Sequence, residues 1–192
     1  MFSERQAEII EKSIEIIANK GIQGLTIKNL SKEIGISEPA IYRHFESKTS
    51  ILIAILSTFE DMADMMGMIM QNSKDTATEK IEFVFNRMTE VFEETPSLVS
   101  VIFSEEIFKN EKVLKEKITA ILNKNEETIE MIIEEGQAKG EVRTDIDYKN
   151  IALVFMGSLR LLVKRWDLNQ QDFNLKTEGG KLIKSLQIII SQ

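Results

Sequence analysis

The chain has 192 residues, 43% of them hydrophobic and 29% charged, with a net charge of −7, one histidine and no cysteine. That length can bury a substantial core, as one domain of ordinary size or as a small head on a larger body. Without thiols there are no disulfides, thiolate metal sites or cysteine redox switches, and a single histidine argues against a metal sensor built on His and Cys ligands.

Two prolines, nine glycines and an abundance of Ile, Leu, Met, Glu and Lys predict an all-helical protein. No run approaches the roughly 18 apolar residues of a membrane span. The start, MFSERQAEII, carries acids where a signal peptide would be basic, so the sequence predicts a chain that stays in the cytoplasm.

In chain order, Ser3-x-x-Gln6 is a capping box that opens a first helix over about residues 3–20, with Gly21 beyond its last turn. Ile10, Ile14 and Ile17 form its stripe, widened by Ile9 and Ile16. Thr26 reads as the cap of a short second helix, in which Ile27, Leu30 and Ile34 fall at i, i+3 and i+7. Gly35 stands where a left-handed terminus is wanted. Ser37 can cap a third helix with Pro39 in its first turn, where a missing N–H costs nothing. Ile41 and Phe45, four apart, turn that helix inward and leave Pro39, Ala40, Tyr42 and Arg43 outside, with His44 at the edge. Two short helices around a Gly-containing turn define the helix-turn-helix, whose second helix enters the DNA major groove.

Ser47 opens a long fourth helix to about residue 72, the predicted connector between head and body. Thr76-x-x-Glu79 is a second capping box, and the fifth helix it opens ends before Thr95-Pro96. Residues 96–110 read as one or two shorter helices, and residues 111–139 as a seventh that stops at Lys139-Gly140. Asp147 caps an eighth, apolar on nearly every side through Leu162. A ninth, over about 178–190, carries Leu182, Leu186 and Ile189 as its stripe.

The acidic balance stands at odds with DNA binding until its distribution is considered. Residues 1–50 carry Arg5, Lys12, Lys20, Lys28, Lys32, Arg43 and Lys48 against Glu4, Glu8, Glu11, Glu15, Glu33, Glu38 and Glu46. The head is neutral, and it presents a positive face if Lys28, Arg43, His44 and Lys48 converge. The excess acid lies in the body, where it disfavours non-specific DNA binding.

The run Gly-x-x-x-Leu-Thr-Ile-x-x-Leu at 21–30, Gly-Ile-Ser at 35–37 and Ile-Tyr-Arg-His-Phe-x-Ser-Lys at 41–48 resembles the TetR/AcrR family of transcriptional regulators, closely over about residues 10–56 and in helical layout beyond. The family often has Ile-Ala where this chain has Leu30-Ser31, a swap of small for small. The resemblance implies an all-α protein: a DNA-binding domain over residues 1–46 and a ligand-binding, dimerising body over 47–192. It implies a homodimeric repressor released from a palindromic operator by a small molecule, with no cofactor. Tyr42, His44 and Lys48 align with positions that contact phosphate in the family, and Glu38, Pro39 and Ala40 with positions that approach base edges. The chemistry agrees: phenol, imidazole and ammonium donate to phosphate, and Lys48 lies in the first turn of a helix, a ready anion site. Pro39 and Ala40 could touch thymine methyls and Glu38 a cytosine amine, although a first-turn carboxylate also simply favours its helix. Arg43 and Lys28 are candidates for phosphate or guanine. Thr26 and Ser37, both caps, complete the DNA-facing set.

In the body, Phe59, Met62, Met66, Phe83, Met88, Phe92, Phe103 and Phe108 suit an adaptable apolar pocket, while such stripes also serve as plain core. Arg160, a cation inside an apolar run, could meet a ligand carboxylate, pair with an acid such as Glu105 or snorkel to solvent. The expected effector is a largely apolar organic molecule. Ile151, Val154, Phe155, Gly157, Ser158, Leu161 and Leu162, with Leu182, Leu186 and Ile189, offer more apolar surface than one monomer covers and predict a two-fold four-helix interface. Three rivals stay open. One is an inducer-free relative that occludes the nucleoid, one a helical adaptor that does not bind DNA, and one a helical enzyme, against which the lack of a phosphate loop or clustered metal carboxylates stands.

Overall fold

The computed structural model describes residues 2–103 and 111–191, and every regular element among them is a helix. They are α1 (Glu4–Gly24), α2 (Ile27–Ile34), α3 (Glu38–Tyr42), α4 (Lys48–Asn72), α5 (Ala77–Glu94), α6 (Ser97–Ile102), α7 (Lys112–Ala138), α8 (Tyr148–Leu168) and α9 (Leu175–Ile190). No helix among these residues is long and apolar enough to cross a membrane.

Two compact units emerge. The first comprises Met1–Asp61 and Ser97–Ala120, the second Met62–Pro96 and Ile121–Gln192, so α4 and α7 each supply residues to both.

In the first unit, the Ser3 hydroxyl accepts the Gln6 N–H at 3.3 Å and the Gln6 side chain accepts the Ser3 N–H at 3.0 Å, so the capping box forms as predicted. The helix runs past Lys20 but is interrupted at Gly21, whose φ of 67° and ψ of 176° set the final turn apart. Ile9, Ile10, Ile14, Ile16 and Ile17 are buried as the stripe requires, and α1 packs on α2 and α6. Thr26 caps α2 by accepting the Asn29 N–H at 3.0 Å. Gly35, at φ 79°, ends it: the N–H groups of Gly35 and Ile36 both reach the Ser31 carbonyl. Ile41, fully buried, and Phe45 pin α3 inward. At the start of α4, Ser47 and Ser50 each accept the other's backbone N–H, at 3.1 and 3.0 Å.

The second unit closes around Ile81 and Phe85 of α5, Ile132 and Ile133 of α7, Ile151 and Phe155 of α8, and Ile183, Leu186 and Ile190 of α9. The α5 capping box forms, and Glu141 adds a further acceptor for the Ala77 N–H at 2.6 Å. Lys80, nearly fully buried, meets Glu135 of α7 at 3.0 Å. Asp147 caps α8 as expected.

Two expectations are corrected here. The last helix begins at Leu175 rather than near 178, because the Asn174 side chain accepts the Thr177 N–H at 2.6 Å. Its buried stripe is Leu175, Gly179, Ile183, Leu186 and Ile190, which leaves Leu182 half-buried and Ile189 exposed. Of the shorter helices expected over 96–110, α6 is one; residues 104–110, including Glu105 and Phe108, lie outside the described residues.

Candidate nucleic-acid interface

The apolar positions of α2 and α3 decide what the head shows to solvent. With Leu30, Ile41 and Phe45 committed to the interior, Lys28, Ser37, Glu38, Pro39, Tyr42, Arg43 and His44 are exposed and Ala40 is half-buried. Tyr42 stands 50% exposed, high for a large aromatic ring, with its phenol free to donate. Ser37 occupies the cap position of α3 but makes no side-chain cap bond, a departure from the predicted role that leaves its hydroxyl available to another acceptor.

The cations of the head fall into two groups. Arg5 pairs with Glu8 and Lys12 with Glu15, both along α1. Glu15 holds the Lys12 ammonium above its usual range, although the group is exposed. Lys20, Lys28, Lys32 and Arg43 enter no ion pair among the described residues. Cations of this second kind keep their full capacity for phosphate oxygens, and a neutral head can therefore present a positive face. Lys20 and Lys32 were passed over by the sequence reading; the available signal was that neither has an acid three or four residues along its own helix.

Lys48 lies in the first turn of α4, where the sequence places it. Its ammonium donates to the Ile22 carbonyl at 2.8 Å, bridging the start of α4 to the last turn of α1. The side chain is half-buried, and that burial lowers the Lys48 pKa. Asn29 braces the same corner by donating to the Gly24 carbonyl at 2.8 Å. Neither bond is visible in helical periodicity, since both link side chains to irregular backbone. The chemistry available at this surface is hydrogen bonding and charge attraction to an anionic polymer, with α3 and its flanking residues as the probe.

The apolar effector candidates divide between the units. Phe59, buried, and Phe103, half-buried, belong to the first. In the second, Phe92 is buried, Met62, Met66 and Met88 are half-buried, and Phe83 is 48% exposed. Arg160 is exposed on α8. Among the described residues, no group of three or more His, Cys, Asp or Glu could hold a metal ion.

A head of this construction defines a helix-turn-helix DNA-binding protein carrying a helical body. Comparison with known proteins narrows the class. Residues 9–55 match the family of bacterial regulatory proteins described as tetR, and residues 58–189 match the C-terminal region of YsiA-like proteins. The chain belongs to the tetR family and is a DNA-binding transcriptional regulator. It is 24% identical to the fatty acid metabolism regulator protein of Bacillus subtilis (strain 168), across 93% of this chain and 92% of that one. It is 25% identical to the nucleoid occlusion factor SlmA of Vibrio atlanticus, across 85% and 84%. Its fold is that of the transcriptional regulator FadR from Bacillus subtilis, solved in complex with stearoyl-CoA. That match has a TM-score of 0.81 at 23% identity and covers 94% of this chain and 96% of that one.

Proposed function

We propose that the protein is a homodimeric repressor that places two heads on a palindromic operator and leaves it when an acyl effector binds. Residues 1–46 act as the DNA-binding domain and 47–192 as the ligand-binding and dimerising body. The observation that carries the reading is the exposed set on and beside α3, Tyr42, Arg43 and His44, standing outward because Ile41 and Phe45 point in. Tyr42 and His44 donate to phosphate, with the Thr26 and Ser37 hydroxyls as further donors; Arg43 and Lys28 reach phosphate or guanine; Glu38, Pro39 and Ala40 lie against base edges.

Assembly is proposed through α8 and α9. Leu153, Val154 and Leu161 are exposed on α8, and Ile188 and Ile189 on α9, after each helix has already buried another stripe at home. Gly157 and Ser158 on the same helix allow close approach of a symmetry-related copy. A two-fold pairing sets two α3 helices at a fixed spacing, which is why the operator is read as a palindrome.

For the effector, the full-length likeness to a fatty acid metabolism regulator favours a long acyl chain, carried as a thioester of coenzyme A in the first instance. The Met and Phe side chains of the body suit such a chain, and burial at roughly 25 cal/mol per Å² supplies enough differential affinity for a coupling of about 1–3 kcal/mol. The likeness to nucleoid occlusion factors supports a second reading, operator binding without an inducer. The deciding experiment selects a duplex from randomised DNA with the purified protein, then titrates the complex with stearoyl-CoA, free stearate and coenzyme A. Release by the acyl compounds alone supports the repressor; retention of DNA at every concentration favours the inducer-free reading.

A further inference from the structure

Sulfur chemistry in this chain belongs to thioethers alone, since it has nine methionines and no cysteine. Five of the nine lie between residues 62 and 70, on the part of α4 that belongs to the second unit. Helical rotation gives them different environments. Ala63 and Met70 are buried, and Met66, on the same side, is half-buried against the core cluster that contains Met70. Met65 and Met68 lie away from that side and are 57% and 64% exposed. Among the described residues no other methionine is exposed: Met62, Met66, Met88, Met131 and Met156 are half-buried. Neither Met65 nor Met68 belongs to the α8–α9 face proposed for assembly.

We propose that this segment is a graded methionine-oxidation site, at which peroxide converts Met65 and Met68 to sulfoxides first and Met66 after them. A sulfur lone pair attacks one peroxide oxygen and the O–O bond breaks. The proton on the transferred oxygen passes to the departing hydroxide, which leaves as water. The sulfur gives up two electrons, the peroxide takes them, and the thioether becomes a sulfoxide. Access to the lone pair orders the reaction, so Met65 and Met68 precede Met66, and Met70, 2% exposed, comes last. The consequence changes with depth. A sulfoxide at position 65 or 68 is hydrated where it forms and leaves the packing intact. At Met66 it sets a polar oxygen against an apolar cluster that offers it no donor in exchange for water. Met66 is also one of the side chains suited to an acyl chain, so its oxidation makes effector binding sensitive to peroxide in a chain without thiols. That last consequence rests on the acyl-effector reading.

The test treats the full chain with increasing hydrogen peroxide and quantifies the sulfoxide at each methionine by peptide mass spectrometry. Melting temperature and stearoyl-CoA affinity are measured on the same samples. We expect Met65 and Met68 to convert at least about tenfold faster than Met66, and Met70 slowest. The melting temperature should hold while only Met65 and Met68 are oxidised and fall as Met66 converts, with affinity for stearoyl-CoA dropping by about tenfold. Met66→Leu, a volume-conserving change, should keep both melting temperature and affinity at the same peroxide dose. Conversion of Met66 or Met70 as fast as Met65 and Met68 overturns the proposal. So does an equal loss of melting temperature in wild type and Met66→Leu. If untreated wild type binds no stearoyl-CoA, the acyl reading falls, and the order of conversion with the melting temperatures still decides whether the oxidation site exists.

Discussion

The head and the last two helices solve the same problem with opposite surfaces. In α3, Ile41 is fully buried and its neighbours Pro39, Tyr42 and Arg43 are exposed, so a five-residue helix divides into an apolar anchor and a polar, aromatic probe. In α8 and α9, residues on the buried stripe are apolar and so are many on the outer one: Leu161 is 62% exposed and Ile188 76%. An outward face of phenol, guanidinium and imidazole fits a charged polymer that brings water and counterions with it. An outward face of leucine and isoleucine fits another protein surface. The difference teaches that exposure alone identifies no partner; the chemistry of the exposed stripe does.

The comparison can be broken most severely at the apolar face. Leu161→Asp places a charge opposite its own copy in a two-fold interface, where like charges cost several kcal/mol. We expect monomers at micromolar concentration in sedimentation and a loss of operator affinity of at least about a hundredfold, because two linked heads become one. Dimers unchanged by this substitution would remove α8 from the interface.

Next in size is the anchor of the probe. Ile41→Ala should destabilise by about 2–5 kcal/mol in urea unfolding, as a buried aliphatic residue does when truncated. Arg43→Ala, two positions away, should leave the unfolding midpoint within experimental error. Its expected effect is on DNA alone, about a tenfold weakening, with the salt slope reduced by about 0.9 if its partner is phosphate. If its partner is guanine, the loss should instead concentrate on one position of the operator. A fall in stability as large as that of Ile41→Ala would erase the distinction between anchor and probe.

The smallest expected effect is a pH dependence in the second unit. Hydrogen bonds from Lys139 first, and Lys80 second, hold the Glu135 carboxyl below its ordinary value of 4.5. A carboxyl lowered on folding contributes stability that is present above the unfolded value and lost as pH falls through the folded one. Urea midpoints measured from pH 6 downward should therefore decline below about pH 4.5 in wild type. Glu135→Gln should show a shallower decline. An equal decline in both proteins would show that Glu135 does not titrate with unfolding.

The sequence by itself determined a great deal of the head. Local signals act over three or four residues and need no tertiary partner: the Ser3 and Thr76 capping boxes, the Thr26 cap, the Gly35 terminus and the inward pair Ile41 and Phe45 all stand where they were read. The all-helical class followed from composition, and the resemblance over residues 10–56 from a string of side chains with separate tasks. Tertiary structure decided what local pattern cannot. In α9 nearly every candidate position is aliphatic, so periodicity alone could not choose between the stripe of Leu182 and Ile189 and that of Ile183 and Ile190; packing against α5 and α8 chose the second. Ser37 sits at the cap position of α3 without a side-chain cap bond, which the residue type alone could not reveal. Lys48 reaches the Ile22 carbonyl across 26 residues of sequence, and only the fold brings that acceptor within reach of its ammonium.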